Sequence, residues 1–131
     1  MTPARVFMRR FWRDRRGNTA AEFALILPAF MFLTLGGINL SILVYATSSL
    51  NRVVQSAARY ASIQTNSTGS SPSSATITAW ARTAYVGPSI NPQFTYSATG
   101  CGNTVTATAT YNLFAGVIDK TIPLSATACF P

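Results

Sequence analysis

The sequence contains no histidine and only three acidic residues, which are Asp14, Glu22 and Asp119. General acid–base catalysis and metal binding draw mainly on histidine, cysteine and carboxylate side chains. With three acids spread over 131 residues, we expect no pair of carboxylates, no nucleophile with its base and no set of metal ligands. The sequence therefore predicts a protein that is not an enzyme and has no catalytic residues, metal ions or cofactors.

Positive charge is also scarce outside the first 17 residues. Residues 1–17 contain six arginines and one aspartate and so carry most of the net charge of +7. A basic cluster can bind nucleic acid, but beside an apolar run it is better explained by the positive-inside rule for membrane proteins. We therefore expect no nucleic-acid partner. The N-terminus is predicted to be cytoplasmic, and the chain after the apolar run is predicted to lie outside the cytoplasm, in the periplasm or at the cell exterior.

Residues 23–46 form an apolar run without a formal charge. As a helix it would be about 36 Å long, whereas the hydrocarbon core of a bilayer is about 30 Å thick. We assign a transmembrane helix to residues 18–46, after a basic leader over residues 1–17. A signal peptide cut after Ala46 is the alternative. Its apolar region would exceed the usual length of about 7–15 residues.

Residues 15–28 read RRGNTAAEFALILP. An arginine pair, a glycine, an acid five residues later and an apolar helix with a proline resemble the TadE-like family. Members of that family are minor pilins, or pseudopilins, of the tight-adherence (Flp) pilus, a type IV pilus-like system. The resemblance implies cleavage by a prepilin peptidase, and it assigns the processing site to Gly17, Asn18, Glu22 and Phe23. The implied partners are the inner membrane, the prepilin peptidase, other pilins or pseudopilins, and the pilus assembly platform.

Glu22 and Pro28 are unusual residues for the predicted transmembrane helix, because one can carry a charge and the other lacks a backbone N–H. An ionised carboxylate at the bilayer centre costs about 2.5–3.5 kcal/mol, so we expect Glu22 to have a partner. Cleavage after Gly17 would create one, the α-amino group of Asn18, and the resemblance implies that Glu22 pairs with this amine on a neighbouring subunit. The alternative is a Glu22 that is solvated among lipid headgroups near a helix N-terminus. Pro28 lacks a backbone donor and is predicted to kink the helix.

After residue 46 the pattern changes from uniformly apolar to one-sided. Apolar residues recur at helical spacing from Leu50 to Ala61, which predicts an amphipathic continuation of the helix over residues 47–64. One long helix is thus expected over about residues 20–64. Residues 65–75 are rich in serine and threonine and predict a linker. A short helix over residues 75–85, capped by Ser74, would open a small periplasmic domain over residues 76–131.

Alternation of apolar and polar residues predicts strands over residues 93–98, 103–113 and 120–130. The predicted fold class is α+β and pilin-like, with one long N-terminal helix, a short helix and a three-stranded antiparallel sheet. Pro123 restricts the third strand to a sheet edge or a bulge. Cys101 and Cys129 are both expected outside the cytoplasm, where disulfides persist, so we predict that they bond to each other. Two free thiols are the alternative.

Three functions remain open from the sequence. The chain is a pilin-like subunit cut after Gly17, an uncleaved signal-anchored periplasmic interaction module, or a secreted protein released after Ala46. About 67 residues follow Gln64. The family resemblance implies that the bulk subunits of such pili are much shorter, so a minor or initiating subunit is expected.

Overall fold

A computed structural model describes residues 18–114 and 119–131. The basic leader and Gly17 lie outside the described residues. The elements are two helices, α1 (Asn18–Thr68) and α2 (Ser74–Ala84), followed by three strands, β1 (Gln93–Thr99), β2 (Gly102–Phe114) and β3 (Asp119–Phe130). The predicted α+β fold class is therefore confirmed. The chain divides into two compact units, residues 1–36 and residues 37–131.

Helix α1 runs four residues beyond its predicted end at Gln64. It ends at Thr68, and the following residue, Gly69, adopts a positive φ of 69° and donates its N–H to the Thr65 carbonyl over 2.9 Å. Glycine is favoured at such a left-handed helix end because it has no Cβ. The polar residues predicted as the start of the linker are helical because their hydroxyls bond back to carbonyls one turn earlier, as Thr68 does to Gln64 over 2.8 Å.

Helix α2 is capped by Ser73 and not by the predicted Ser74. The Ser73 hydroxyl accepts a hydrogen bond from the Thr76 N–H over 3.2 Å, so Ser74 becomes the first helical residue. Both serines are good N-cap residues, and the sequence alone does not choose between them. Ile77 and Ala81 are the buried residues of α2.

The three strands form one antiparallel sheet in the order β1-β2-β3. In its register, Val105 of β2 pairs with Tyr96 of β1 on one side and with Ala128 of β3 on the other. Strand β3 is therefore an edge strand, which confirms the position expected from Pro123. The apolar positions of the predicted alternation face the core: Phe94, Val105, Ala107, Ala109, Leu124 and Ala126 are buried.

The core lies in the unit formed by residues 37–131. The one-sided apolar stripe of α1 is buried as predicted, and it joins the buried residues of α2 and of the three strands in a single cluster. The α1 members are Ala46, Leu50, Val53, Val54, Ala57, Ala58 and Ala61. Trp80 is half-buried and stacks on Tyr60, with ring centroids 5.0 Å apart. The amphipathic pattern of the sequence thus correctly predicted which face of α1 is buried.

Candidate membrane-anchoring and processing segment

The predicted processing site lies only partly within the described residues. Gly17 lies outside them, whereas Asn18 is the first residue of α1. Glu22 follows four positions later with an exposed side chain, and Phe23 is 65% exposed. Residues four apart lie on one face of a helix, so the helix places Glu22 one turn from the residue that would carry the new α-amine. The pairing itself stays a prediction.

The part of α1 that precedes the core is apolar on every side. Its large apolar side chains are exposed, among them Leu25 at 81% and Leu33 at 76%. A helix that is apolar all round is normally covered by protein or by lipid, because exposing apolar surface to water costs about 25 cal/mol per Å². Among the described residues, α1 alone is long and apolar enough to cross a membrane, by length and composition. These features support a membrane anchor.

Polar groups within this apolar segment bond to the helix itself. The Thr34 hydroxyl donates to the carbonyls of Phe30 and Met31, both over 3.0 Å, and the Ser41 hydroxyl donates to the Gly37 carbonyl over 2.9 Å. Such internal bonds suit a helix in lipid, where no water is available to satisfy polar groups. Pro28 lies inside α1, and the kink predicted there stays a prediction.

The end of the predicted span overlaps the packed unit, a feature that the sequence analysis missed. The Tyr111 hydroxyl donates to the side-chain oxygen of Asn39 over 3.2 Å. Leu43 packs against the core, and Ala46 is fully buried. One face of the last residues of the apolar run is therefore covered by protein, whereas Leu40, Val44 and Tyr45 remain exposed. Asn39, an amide inside an otherwise apolar run, was the available signal for this contact.

Tyr45 and Arg52 are exposed at the surface of the packed unit, and Tyr85 is half-buried there. A cleft of about 240 Å³ is lined by residues that include Tyr45, Ser49, Arg52 and Val86. Burial, with a smaller effect from Tyr45, raises the pKa of Tyr85, whose hydroxyl donates to the Pro88 carbonyl over 3.0 Å.

No group of three histidine, cysteine or acidic residues that could hold a metal occurs in residues 18–114 and 119–131. The non-enzymatic character remains a prediction from the sequence.

Cys101 and Cys129 form a disulfide, with their Cα atoms 6.4 Å apart. Cys101 lies in the turn between β1 and β2, and Cys129 lies on β3 opposite Thr104 of β2. The bond therefore crosses from the turn over the central strand to the edge strand. The predicted pairing of the two cysteines is confirmed.

Residues 17–59 match the family model of TadE-like protein. Over this segment the chain is similar to TadE-like proteins. The match begins at the glycine of the predicted processing site and ends within the amphipathic half of α1, so the resemblance is confirmed there. No curated protein matches the chain significantly, and no solved structure does so either. Helix α2 and the sheet lie outside the family match.

Proposed function

We propose that the protein is a minor pilin-like structural subunit of a tight-adherence (Flp) pilus, which a prepilin peptidase cleaves after Gly17. The observation that carries the proposal is the TadE-like match over residues 17–59, which contains both Gly17 and Glu22. The exposed apolar part of α1 supports insertion in the bacterial inner membrane. The basic leader supports a cytoplasmic N-terminus and a periplasmic C-terminal domain.

The subunit acts by assembly and not by catalysis. Before assembly, α1 holds it in the membrane with the packed unit outside. After cleavage, the new α-amine of Asn18 and the carboxylate of Glu22 are the charges that pair between neighbouring subunits. This role places the protein in initiation or assembly of the pilus, beside the assembly platform and other pilins. The alternative is an uncleaved, signal-anchored periplasmic interaction module.

The mass and N-terminal sequence of the mature chain test this proposal. A chain that begins at Asn18 supports it, an intact chain supports the anchored module, and a chain cut after Ala46 supports a secreted protein. Gly17→Leu should block cleavage, because the peptidase cuts beside a small residue in the family that this chain resembles.

Gly36→Leu is the matched control, since a Cβ at Gly36 meets no atom within 4 Å. We expect this variant to be processed like the natural protein. Normal cleavage of Gly17→Leu at Asn18 would contradict the proposed processing site.

A further inference from the structure

We propose that a cleft beside Arg52 binds the carboxylate of an aspartate or glutamate side chain of another protein. This cleft, called the Arg52 cleft, lies within the packed unit of residues 37–131. All of its lining residues except Tyr45 follow the predicted transmembrane helix, which ends at residue 46. The inference goes beyond the proposed function and does not depend on it, because it involves neither cleavage nor the pilus.

The Arg52 cleft has one wall made by α1 and one made by the end of α2 and the residue that lies two positions after it. Tyr45, Ser48 and Arg52 follow one another at intervals of three and four residues, so their side chains lie on one face of α1. The remaining lining residues are Ser49 and Val53 of α1, together with Ala84 and Val86. Sites for drug-sized ligands have volumes of about 300–1,000 Å³, whereas this cleft has about 240 Å³. It therefore suits a protein side chain better than a larger small molecule.

The wall that contains Val86 is held in place by hydrogen bonds. The buried Ser49 hydroxyl donates to the Val86 carbonyl, and the Tyr85 hydroxyl donates to the Pro88 carbonyl over 3.0 Å. Gly87 permits this close approach, because a Cβ there would lie 2.5 Å from the Tyr85 hydroxyl oxygen and 3.0 Å from the Ser49 Oγ. The Arg52 cleft is thus formed before a ligand arrives, which lowers the entropy cost of binding.

The polar groups of the Arg52 cleft suit an anion. Arg52 is exposed, no lining residue is acidic, and within residues 18–114 and 119–131 the guanidinium forms no ion pair. Its N–H groups form a planar fork that matches the two oxygens of a carboxylate. Ser48 and Tyr45 are also exposed on this face and supply hydroxyl donors. The apolar side chains of Ala84 and Val86 can contact the methylene groups of an acidic side chain.

The charge of the packed unit favours an acidic protein as the partner. This unit carries four basic residues and one acid, which gives a net charge of +3; they are Arg52, Arg59, Arg82, Lys120 and Asp119. A second copy of the chain carries the same charge and is repelled. One guanidinium also matches the single charge of a carboxylate, whereas a phosphate monoester carries about −1.5 to −2 at neutral pH. We therefore assign a carboxylate, and a phosphate is the rival that the experiment must exclude.

A titration of the full chain with short peptides, followed by NMR in an uncharged detergent, tests the proposal. The probe is a Val-Glu-Val tripeptide with both ends blocked, so that it has one carboxylate. Val-Gln-Val is its neutral counterpart, and the same peptide with a central phosphoserine tests the phosphate. The backbone amide signals of Ser48 and Val86 are followed, because the leader contains six further arginines and a readout without residue resolution would include them.

Arg52→Gln and Arg59→Gln are the matched variants. Both residues are exposed on α1, but Arg59 lies outside the Arg52 cleft with its guanidinium carbon 5.7 Å from the centroid of the Phe130 ring. Arg52→Lys keeps the charge and removes the planar fork. Because all three replace exposed side chains, we expect their amide spectra without peptide to match that of the natural protein outside the substituted turn.

We expect Val-Glu-Val to shift the two amide signals in a saturable way, and Val-Gln-Val to leave them unchanged. Arg52→Gln should raise the Kd about tenfold or more, because it removes a hydrogen-bonded charge pair. Arg52→Lys should give an intermediate Kd, and Arg59→Gln should change it by less than about twofold, as for a distant surface charge.

Three results would overturn the inference. The first is an equal response to Val-Glu-Val and Val-Gln-Val, which would show that the charge is not recognised. The second is an equal loss of affinity in Arg52→Gln and Arg59→Gln, which would indicate general attraction to a basic surface. The third is binding of the phosphoserine peptide more than about tenfold tighter than Val-Glu-Val, which would make the cleft a phosphate site.

Discussion

Gly102 is a residue whose size is restricted by its surroundings. It starts β2 with a φ of 119°, a conformation that other residues rarely adopt, and a Cβ there would overlap the Phe130 carbonyl oxygen and lie 2.6 Å from the Pro131 Cα. We expect Gly102→Ala to lower the free energy of unfolding by about 2–4 kcal/mol, from backbone strain and the displaced end of β3.

Urea denaturation of the detergent-solubilised protein measures this loss. Gly100→Ala is the control, because no atom lies within 4 Å of its added Cβ. Equal stability of the two variants would show that the end of β3 adapts without cost.

Glu22 is expected to be needed for assembly of the pilus but not for insertion into the membrane. Glu22→Ala removes a charge but leaves the apolar run intact, so we expect the variant to be inserted and cleaved normally. Its recovery in sheared pili should fall strongly, because the α-amine of the neighbouring subunit would lose its partner.

Thr19→Ala, a polar-to-apolar change in the first turn of the same helix, should be incorporated normally. Quantification of each variant in sheared filaments measures the difference. Normal incorporation of Glu22→Ala would remove the charge pair from the proposed mechanism.

At the scale of elements, the disulfide joins the β1–β2 turn to the edge strand β3. Cys101 and Cys129 are separated by 28 positions. Closing a loop of this size is worth about 2–4 kcal/mol, chiefly because the cross-link restricts the unfolded chain. The double variant Cys101→Ser and Cys129→Ser should lose about this much stability, measured by urea denaturation without reductant.

Reduction of the natural protein is the matched comparison, and it should lower stability by a similar amount. If the reduced protein is as stable as the oxidised one, the bond does not stabilise the domain.

The segment after α2 should make the stability of the domain sensitive to alkaline pH. Burial raises the pKa of Tyr85 above its usual value, which is about 10 in the unfolded chain. The neutral phenol is thus favoured by folding. Its contribution is complete below about pH 10 and is lost as the pH rises through the folded-state pKa.

Tyr85→Phe should cost about 1 kcal/mol at neutral pH, through loss of the hydrogen bond to the Pro88 carbonyl. Its stability should also decline less steeply above about pH 10 than that of the natural protein. Urea midpoints measured across this range check both effects. Parallel declines in the two proteins would contradict the assignment to Tyr85.

At the scale of the whole molecule, the size of the packed unit supports the proposed role as a minor subunit of the pilus. Residues 37–131 form a compact unit with a sheet, a short helix and a disulfide. The bulk subunits implied by the family resemblance are little more than a helix, and a unit of this size would crowd a thin shaft. A tip or a priming complex requires fewer lateral contacts.

We therefore expect this chain to be a trace component of sheared pili, and its deletion to abolish piliation. Quantitative mass spectrometry of purified pili, combined with piliation counts in the deletion strain, measures both. A chain that dominates the filament would be a bulk subunit, and the proposed minor role would be wrong.

Much of this fold could be predicted because its patterns are local. The stripe from Leu50 to Ala61 repeats at the helical period, and the alternation around Val105 repeats at the strand period. The pattern of apolar residues within each element therefore predicts which of its faces is buried. The long apolar segment and the TadE-like motif were equally readable, since charge, length and spacing are properties of the chain alone.

Tertiary structure decided the features that depend on contacts between distant residues. The Asn39 side chain bonds to Tyr111, 72 positions away, and so one side of the apolar run contacts the sheet before the run ends. The Asn103 oxygen is buried yet satisfied, because it accepts from the hydroxyls of Tyr96 over 2.6 Å and Thr65 over 3.3 Å. A hydrogen bond between distant positions leaves no periodic trace in the sequence. The sequence alone therefore determined the apolar segment, the TadE-like motif and the buried face of each element, whereas contacts between distant residues decided which side of α1 at Asn39 meets the sheet.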